Sequence, residues 1–91
     1  MNFKVEILPI AAKYLSILKK SDPSSFKKVE KLVEELRIHP KTGTGQPECL
    51  KHNNGEVWSR KINKKDRLVY EIMEEQILVL VLSAKGHYGD K

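Results

Sequence analysis

The feature that most restricts the possible folds is an uninterrupted apolar run, Ile77–Leu82. Six residues are too few for a buried helix, and apolar residues at every position indicate a central strand covered on both faces. Two strand-like segments precede it, Val57–Asn63 and Leu68–Met73, and the connecting segments have the length of hairpin turns. These three segments therefore predict an antiparallel meander.

The first half of the chain has the patterns of one strand and two helices. Phe3–Leu8 alternates apolar and polar residues, and Pro9 fits the first turn of a helix that follows. A second helix is expected to begin with Asp22 as its N-cap and Pro23 in its first position, and to end near His39. Its charged residues are predicted to form a solvent-exposed face: Lys27, Lys28, Glu30, Lys31, Glu34 and Glu35. The order β-α-α-β-β-β predicts an α+β fold, with a helical hairpin on one face of a small, largely antiparallel sheet.

The length of 91 residues predicts one domain over residues 1–91, with a core too small to enclose a deep cavity. A binding site is then expected to be an open groove, which suits a polymer better than an enclosed metabolite. No apolar run is long enough for a membrane span and the N-terminal residues lack the layout of a signal peptide, so we expect a cytoplasmic protein. Cys49 is the single cysteine and the 3 histidines are isolated, so we expect no disulfide, metal or other cofactor.

The charge of the chain bears on its partners. The formal net charge is +5, and residues 48–67 hold 6 basic side chains against 3 acidic ones. A basic surplus favours a polyanionic ligand, because neutralising phosphates releases counterions. Lysine supplies 14 of the 17 basic residues, however, and the same charge fits an ordinary solvated surface. Charge alone does not choose between the two interpretations.

Strand parity sorts the residues of the meander between the two faces of the sheet. Trp58 and Tyr70 are expected to belong to the core. Lys61 and Arg67 have the opposite parity, so both are predicted to present a cation on the face away from the core. Arg60 shares the parity of Trp58. Either a bulge re-aims Arg60 or it lies at the sheet edge, and the sequence leaves both alternatives open.

The polar residues around the meander match one type of chemistry. Cleaving RNA without a metal needs a base for the 2′-hydroxyl, an acid for the 5′ leaving oxygen and cations for the charge that develops on the phosphate. Glu48, His87 and the pair Lys61 and Arg67 match these requirements by residue type. Many small basic domains contain such residues, so this match is not specific by itself.

Four linked stretches resemble the YoeB/Txe branch of the RelE/ParE toxin superfamily. They are Gly45-Gln-Pro-Glu-Cys-Leu-Lys-His-Asn, Gly55-Glu-Val-Trp-Ser-Arg-Lys-Ile, Asp66-Arg-Leu-Val-Tyr and Gly86-His-Tyr. The similarity is close over residues 43–88 and extends to the helical half by pattern only. It implies the RelE-like microbial RNase fold and a ribosome-dependent endoribonuclease, or mRNA interferase. Such a toxin of a type II toxin–antitoxin pair cleaves mRNA in the ribosomal A site and inhibits translation.

The resemblance also implies roles for individual residues. Glu48 matches the general base of the family, His87 its general acid, and Arg67 an arginine that stabilises the transition state. Lys51 and Tyr88 match residues that position the substrate.

The chain departs from the family pattern at Lys61, where the branch usually has a second catalytic arginine. A lysine is a point charge and does not make the bidentate phosphate contact of an arginine. We therefore expect Lys61 to be a weaker catalytic cation, and we assign the neighbouring Arg60 to the substrate-binding residues as a compensating charge.

The implied partners are the ribosome with its mRNA and an antitoxin of the YefM/Phd type; a homodimer is left open. The acidic C-terminal segment of the antitoxin is expected to cover the basic sheet face, because the charges are complementary. Two other functions stay open. One is a non-enzymatic gyrase poison of the ParE type, which shares the fold, and the other is a nucleic-acid-binding module that contacts phosphates without cleaving.

Overall fold

The computed structural model of the protein describes residues 2–51 and 56–85. The elements follow one another as β1 (Lys4–Ile7), α1 (Pro9–Ser21), α2 (Pro23–Ile38), β2 (Glu48–Lys51), β3 (Glu56–Lys61), β4 (Arg67–Met73) and β5 (Leu78–Ser83). A single 3-10 turn, Glu74–Gln76, connects β4 and β5. The predicted α+β fold with a helical hairpin is confirmed.

The junction of the two helices forms as the sequence predicts. Pro9 begins α1, where its missing N–H costs no hydrogen bond. The Asp22 carboxylate accepts hydrogen bonds from the Ser25 amide at 3.3 Å and the Ser25 hydroxyl at 2.7 Å, which satisfies a free donor at the start of α2. Among the described residues, no helix has both the length and the apolar character needed to cross a membrane.

The strands form one five-stranded sheet in the order β1-β5-β4-β3-β2. β1 runs parallel to β5, and all other neighbours are antiparallel. The three strands of the predicted meander are therefore confirmed as β3, β4 and β5. The described residues form one more strand than predicted, β2, which pairs with β3 on the side away from β4.

The core lies between the helices and one face of the sheet. Leu68, Tyr70 and Ile72 of β4 point into it, as their parity predicts, together with Val79 and Val81 of β5. The helices contribute a stripe of buried residues from each: Ala11, Leu15, Leu18, Val29, Leu32 and Leu36. The apolar run is thus an interior strand. On its second face Leu78, Leu80 and Leu82 are half-buried rather than fully covered.

Candidate active site

The sheet face away from the helices, called the open face below, brings a carboxylate and two cations together. Glu48 of β2 lies directly opposite Ser59 of β3, and Lys61 of β3 lies directly opposite Arg67 of β4. Directly opposed side chains share a face, and so do residues two apart on one strand. Glu48, Lys61 and Arg67 therefore share the open face. Glu48 and Lys61 are diagonal neighbours, whose Cα atoms lie roughly 7–8 Å apart in such a pairing.

A β-bulge brings a fourth predicted residue to this face. The register of β2 against β3 shifts between Cys49 and Lys51, so that Lys51 pairs with Val57. Without the shift, the alternation of side chains would place Lys51 on the helix side of the sheet. The bulge instead sets Lys51 on the face that carries Glu48, a use of bulges that is common beside functional sites.

The pair of Lys61 and Arg67 is electrostatically unfavourable in isolation, because like charges directly opposite each other repel. Lys61 is exposed and Arg67 is half-buried. The register therefore sets two cations side by side at this end of the β3–β4 ladder.

A groove next to this pair is lined by Lys28, Lys61, Asn63, Lys64 and Arg67 and has a volume of about 420 Å³. Four of these five side chains are cationic, and none of the lining residues that the structure describes is a carboxylate. The groove is open to solvent, in agreement with the expectation that a chain of this size offers a cleft rather than a cavity.

Arg60 was expected to bind the substrate, but its side chain lies in the interior of the protein. The side chain is fully buried, and its guanidinium donates five hydrogen bonds. The acceptors are the Tyr70 hydroxyl, a Glu35 oxygen and the carbonyls of His39, Thr42 and Thr44, at 2.7–3.4 Å. Neither a bulge nor an edge position explains its parity, because Arg60 keeps the strand register and lies on an interior strand. The assignment of Arg60 to the substrate is therefore wrong for this structure, since the side chain holds the loop after α2.

Glu35 is the acidic partner of Arg60, and the prediction that it belongs to a solvent-exposed face is also wrong. Its side chain is 16% exposed, and Oε1 lies 2.7 Å from Arg60 Nη1. The amide and hydroxyl of Thr44 donate to the same carboxylate. Burial would raise the pKa of Glu35, but the hydrogen bonds from Thr44 and Arg60 and the Arg60 charge outweigh it, so that pKa is lowered.

The loop that Arg60 holds leads directly into β2. Gly45 adopts a positive φ of 87°, and a Cβ there would come within 3.0 Å of the Lys61 carbonyl. The Lys61 amide donates to the Gly45 carbonyl at 2.7 Å. Glycine thus allows the loop to approach the end of β3, and the loop fixes where β2 and Glu48 begin.

Ser59 is a residue of the open face whose burial sequence reasoning missed. It is 1% exposed, and its hydroxyl has no hydrogen-bond partner among the described residues. Ser59 lies between Glu48 on one side and Val69 on the other. Val69 is fully buried although it lies outside the core cluster. Strand parity placed Ser59 on this face, but no local pattern indicated its burial.

Two of the predicted site residues, His87 and Tyr88, lie outside the described residues. The structure accordingly brings together Glu48, Lys51, Lys61 and Arg67 and gives Arg60 a different place. In residues 2–51 and 56–85, no group of three or more histidine, cysteine or acidic residues could hold a metal ion.

Solved structures that match this fold include toxins. A YoeB dimer from Staphylococcus aureus matches with a TM-score of 0.80 at 29% identity, over 97% of this chain and 100% of that chain. The YoeB/ParE toxin from Agrobacterium tumefaciens matches with a TM-score of 0.83 at 24% identity, over 94% and 100% of the two chains. The fold and the basic open face thus define a class, the toxins of the YoeB/RelE fold.

The sequence narrows this class to one family. The family model for the YoeB-like toxin of bacterial type II toxin–antitoxin systems matches residues 11–88. Toxin YoeB of Escherichia coli (strain K12) is 37% identical over 68 residues, which are 75% of this chain and 79% of that protein. Toxin YoeB of Synechocystis has the same identity over 75% and 77% of the two chains. The chain belongs to the family of YoeB-like toxins.

Proposed function

We propose that this protein is a ribosome-dependent endoribonuclease that cleaves mRNA in the ribosomal A site and thereby inhibits translation. The reaction is an acid–base transesterification that requires no cofactor. Membership of the YoeB-like toxin family supports the proposal. The observation that carries it is the register that sets Glu48 beside the cations Lys61 and Arg67 on one open sheet face.

Glu48 is the general base of the proposed reaction. Its exposed carboxylate takes the proton of the ribose 2′-hydroxyl, and the 2′-oxygen attacks the neighbouring phosphorus. The bond from phosphorus to the 5′-oxygen breaks, and His87 as general acid gives that oxygen a proton. The products are a cyclic 2′,3′-phosphate, which water can open to a 3′-phosphate, and a 5′-hydroxyl. Every proton is thus accounted for by two side chains.

Lys61 and Arg67 stabilise the phosphorane. Negative charge builds on the non-bridging oxygens as the 2′-oxygen attacks, and cations fixed beforehand lower the energy of that state. The guanidinium of Arg67 can donate two parallel hydrogen bonds, whereas the ammonium of Lys61 acts as a point charge. Lys51 and Tyr88 position the RNA in this scheme.

The proposed partners follow from the same surface. A YoeB–YefM complex from Staphylococcus aureus has the fold of this chain, with a TM-score of 0.76 at 27% identity. We infer that an antitoxin of the YefM/Phd type binds this chain and covers the open face with an acidic segment, because the charges are complementary. A homodimer and a cytoplasmic location, where the ribosomes are, complete the proposal.

Mapping of 5′ ends tests the proposed reaction. A defined mRNA is translated in a purified system with and without this protein, and new 5′ ends are located by primer extension. We expect breaks that carry a 5′-hydroxyl, confined to codons in the A site and absent from the same mRNA without ribosomes. Inhibited translation with intact mRNA would contradict the proposal and favour binding without cleavage. Relaxation of DNA supercoiling with no effect on mRNA would favour a gyrase poison.

A further inference from the structure

The groove beside the proposed catalytic cations extends beyond them to helix α2. Besides Lys61 and Arg67, the groove is lined by Lys28, Asn63 and Lys64. Lys28 belongs to α2 and Lys64 to the turn between β3 and β4, so the groove crosses the seam between helix and sheet. None of the proposed roles in cleavage uses Lys28 or Lys64.

The turn that carries Lys64 is held in place by hydrogen bonds. The Asn63 side-chain oxygen accepts from the amides of Lys65 and Asp66, and the Ile62 amide donates to the Asp66 carbonyl at 2.9 Å. Asp66 is 2% exposed, and its carboxylate accepts from the Tyr14 hydroxyl at 3.1 Å. Asp66, the acidic residue closest in sequence to Lys64 and Arg67, is therefore buried and hydrogen-bonded to Tyr14 of α1.

One hydrogen bond also fixes α2 against this turn. The Asn63 side-chain nitrogen donates to the Ser25 hydroxyl at 3.0 Å. Lys28 follows Ser25 by three residues and therefore lies on the same side of the helix. Lys28 is half-buried, and neither it nor Lys64 forms an ion pair with a described residue. The fold thus holds two ammonium groups, without carboxylate partners in the described part of the chain, beside Lys61 and Arg67.

We infer that this groove binds the phosphodiester backbone of single-stranded RNA next to the scissile phosphate, with Lys28 and Lys64 as phosphate ligands. The inference rests on the proposed function and extends it, because it names the RNA that the enzyme holds outside the reacting nucleotides. The backbone of the turn and of the helix is fixed before RNA binds, so only the lysine side chains lose conformational entropy on binding, which favours a specific site over diffuse attraction. The groove supplies affinity, and the chemistry remains with the catalytic residues.

Binding to an RNA that cannot be cleaved tests the groove independently of the reaction. The double variant Lys28→Ala with Lys64→Ala is compared with Lys27→Ala with Lys65→Ala, which removes the same charge from the same helix and the same turn outside the groove. The probe is a fully 2′-O-methylated single-stranded oligonucleotide, and fluorescence anisotropy gives the Kd between 50 and 200 mM salt. Loss of two phosphate contacts should reduce the slope of log affinity against log salt by about 1.4, whereas the control should keep the slope of the unmodified protein. Urea unfolding confirms that both variants are folded.

A cleavage assay on translating ribosomes separates affinity from rate. The groove variant should need more protein for half-maximal cleavage and reach the same maximal rate, and the control should change neither. Equal Kd values and equal slopes for the two double variants would overturn the inference. The unmodified protein could fail to cleave mRNA while the groove variant still binds RNA more weakly. The proposed function would then be wrong, and the inference that the groove binds RNA would be supported. The groove variant could instead lose affinity for ribosomes without mRNA and keep its affinity for the oligonucleotide. That result would overturn the assignment to the substrate RNA, because the bound phosphates would then belong to ribosomal RNA.

Discussion

Arg60 Nη1 donates to Glu35 Oε1 over 2.7 Å, and this partly buried ion pair joins strand β3 to helix α2. The same guanidinium donates to the carbonyls of His39, Thr42 and Thr44 in the loop that precedes β2. The pair therefore determines where the strand that carries Glu48 begins. Arg60 thus supports the candidate site structurally, by holding the loop that leads to Glu48.

Replacing Arg60 should destabilise the fold strongly. Arg60→Met leaves the Glu35 carboxylate buried without its cation and removes donors from three carbonyls, so we expect a loss of about 3–5 kcal/mol in the free energy of unfolding. Adding Glu35→Leu should recover part of that loss, because the uncompensated charge is removed. Urea unfolding measures both changes. Arg37→Met, at an exposed position of α2, is the control and should change stability by less than about 0.5 kcal/mol; an equal effect of both arginines would contradict the role of the pair.

The stability of the fold should fall in acid because of Glu35. Its pKa is lowered in the folded protein, whereas in the unfolded chain it returns to about 4.3. The contribution of this carboxylate to stability is therefore fully present above the unfolded value and is lost as the pH falls through the folded pKa. Urea midpoints between pH 3 and pH 6 measure the effect. Glu35→Gln should flatten this dependence, and an unchanged pH profile would show that other carboxylates cause it.

Glu48→Gln should abolish most of the cleavage and leave the fold intact. The amide keeps the shape of the side chain but cannot take a proton, and loss of a general base typically lowers a rate by about 10²- to 10⁴-fold. Glu48 is exposed, so thermal unfolding should be unchanged. The matched control is Glu71→Gln, which alters another carboxylate of the open face, opposite Val57. Full cleavage by the Glu48 variant would remove it from the mechanism.

Lys61→Arg should raise the rate of the proposed cleavage. An arginine at this exposed position adds one charge-assisted hydrogen bond to the developing charge, worth about 1.5 kcal/mol, which corresponds to roughly a tenfold higher rate. Lys61→Met should lower the rate instead. Single-turnover cleavage on programmed ribosomes separates the rate from binding, with Lys65→Arg in the adjacent turn as the control. An arginine variant slower than the lysine enzyme would show that the compact ammonium is required.

Ser59→Ala should stabilise the protein. A buried hydroxyl without a partner has lost its hydrogen bonds to water and gained none in the protein. Its removal should therefore raise the free energy of unfolding by about 1 kcal/mol. The control is Ser83→Ala on β5, which is separated from β3 by β4 and where the hydroxyl accepts a hydrogen bond from the Lys85 amide at 3.4 Å. That variant should not be stabilised. A Ser59 variant less stable than the unmodified protein would mean that the hydroxyl makes a hydrogen bond in solution.

Local patterns predicted the elements that depend on neighbours in sequence. Asp22 and Pro23 mark the start of α2 because capping needs only the next few residues, and the parity of β4 sorted its core residues correctly. Strand β2 was missed because its four residues have no alternating pattern and become a strand only by pairing with β3. Its bulge, which turns Lys51 to the open face, is likewise a property of the pair of strands and not of either one alone.

The placement of the candidate residues on one face of the sheet was predicted where strand parity was sufficient. Lys61 and Arg67 lie on the face that parity assigned to them, and Glu48 joins them through the pairing of β2. Arg60 was misassigned because its partner Glu35 is 25 residues away in sequence and had the pattern of an exposed helix position. A buried charge shows itself only when the fold brings both members of the pair together.

The parallel pairing of β1 with β5 affects when this protein can fold during its synthesis. Lys4 pairs with Leu78 and Ile7 with Val81, so in the described sheet β1 has no neighbouring strand until β5 has been made. Such pairing between distant segments closes late in folding. A nascent chain that is still short of β5 lacks Val79 and Val81 of the core, and it cannot complete the sheet on which Glu48, Lys61 and Arg67 meet. The proposed activity therefore requires that β5 has been translated and has paired with β1.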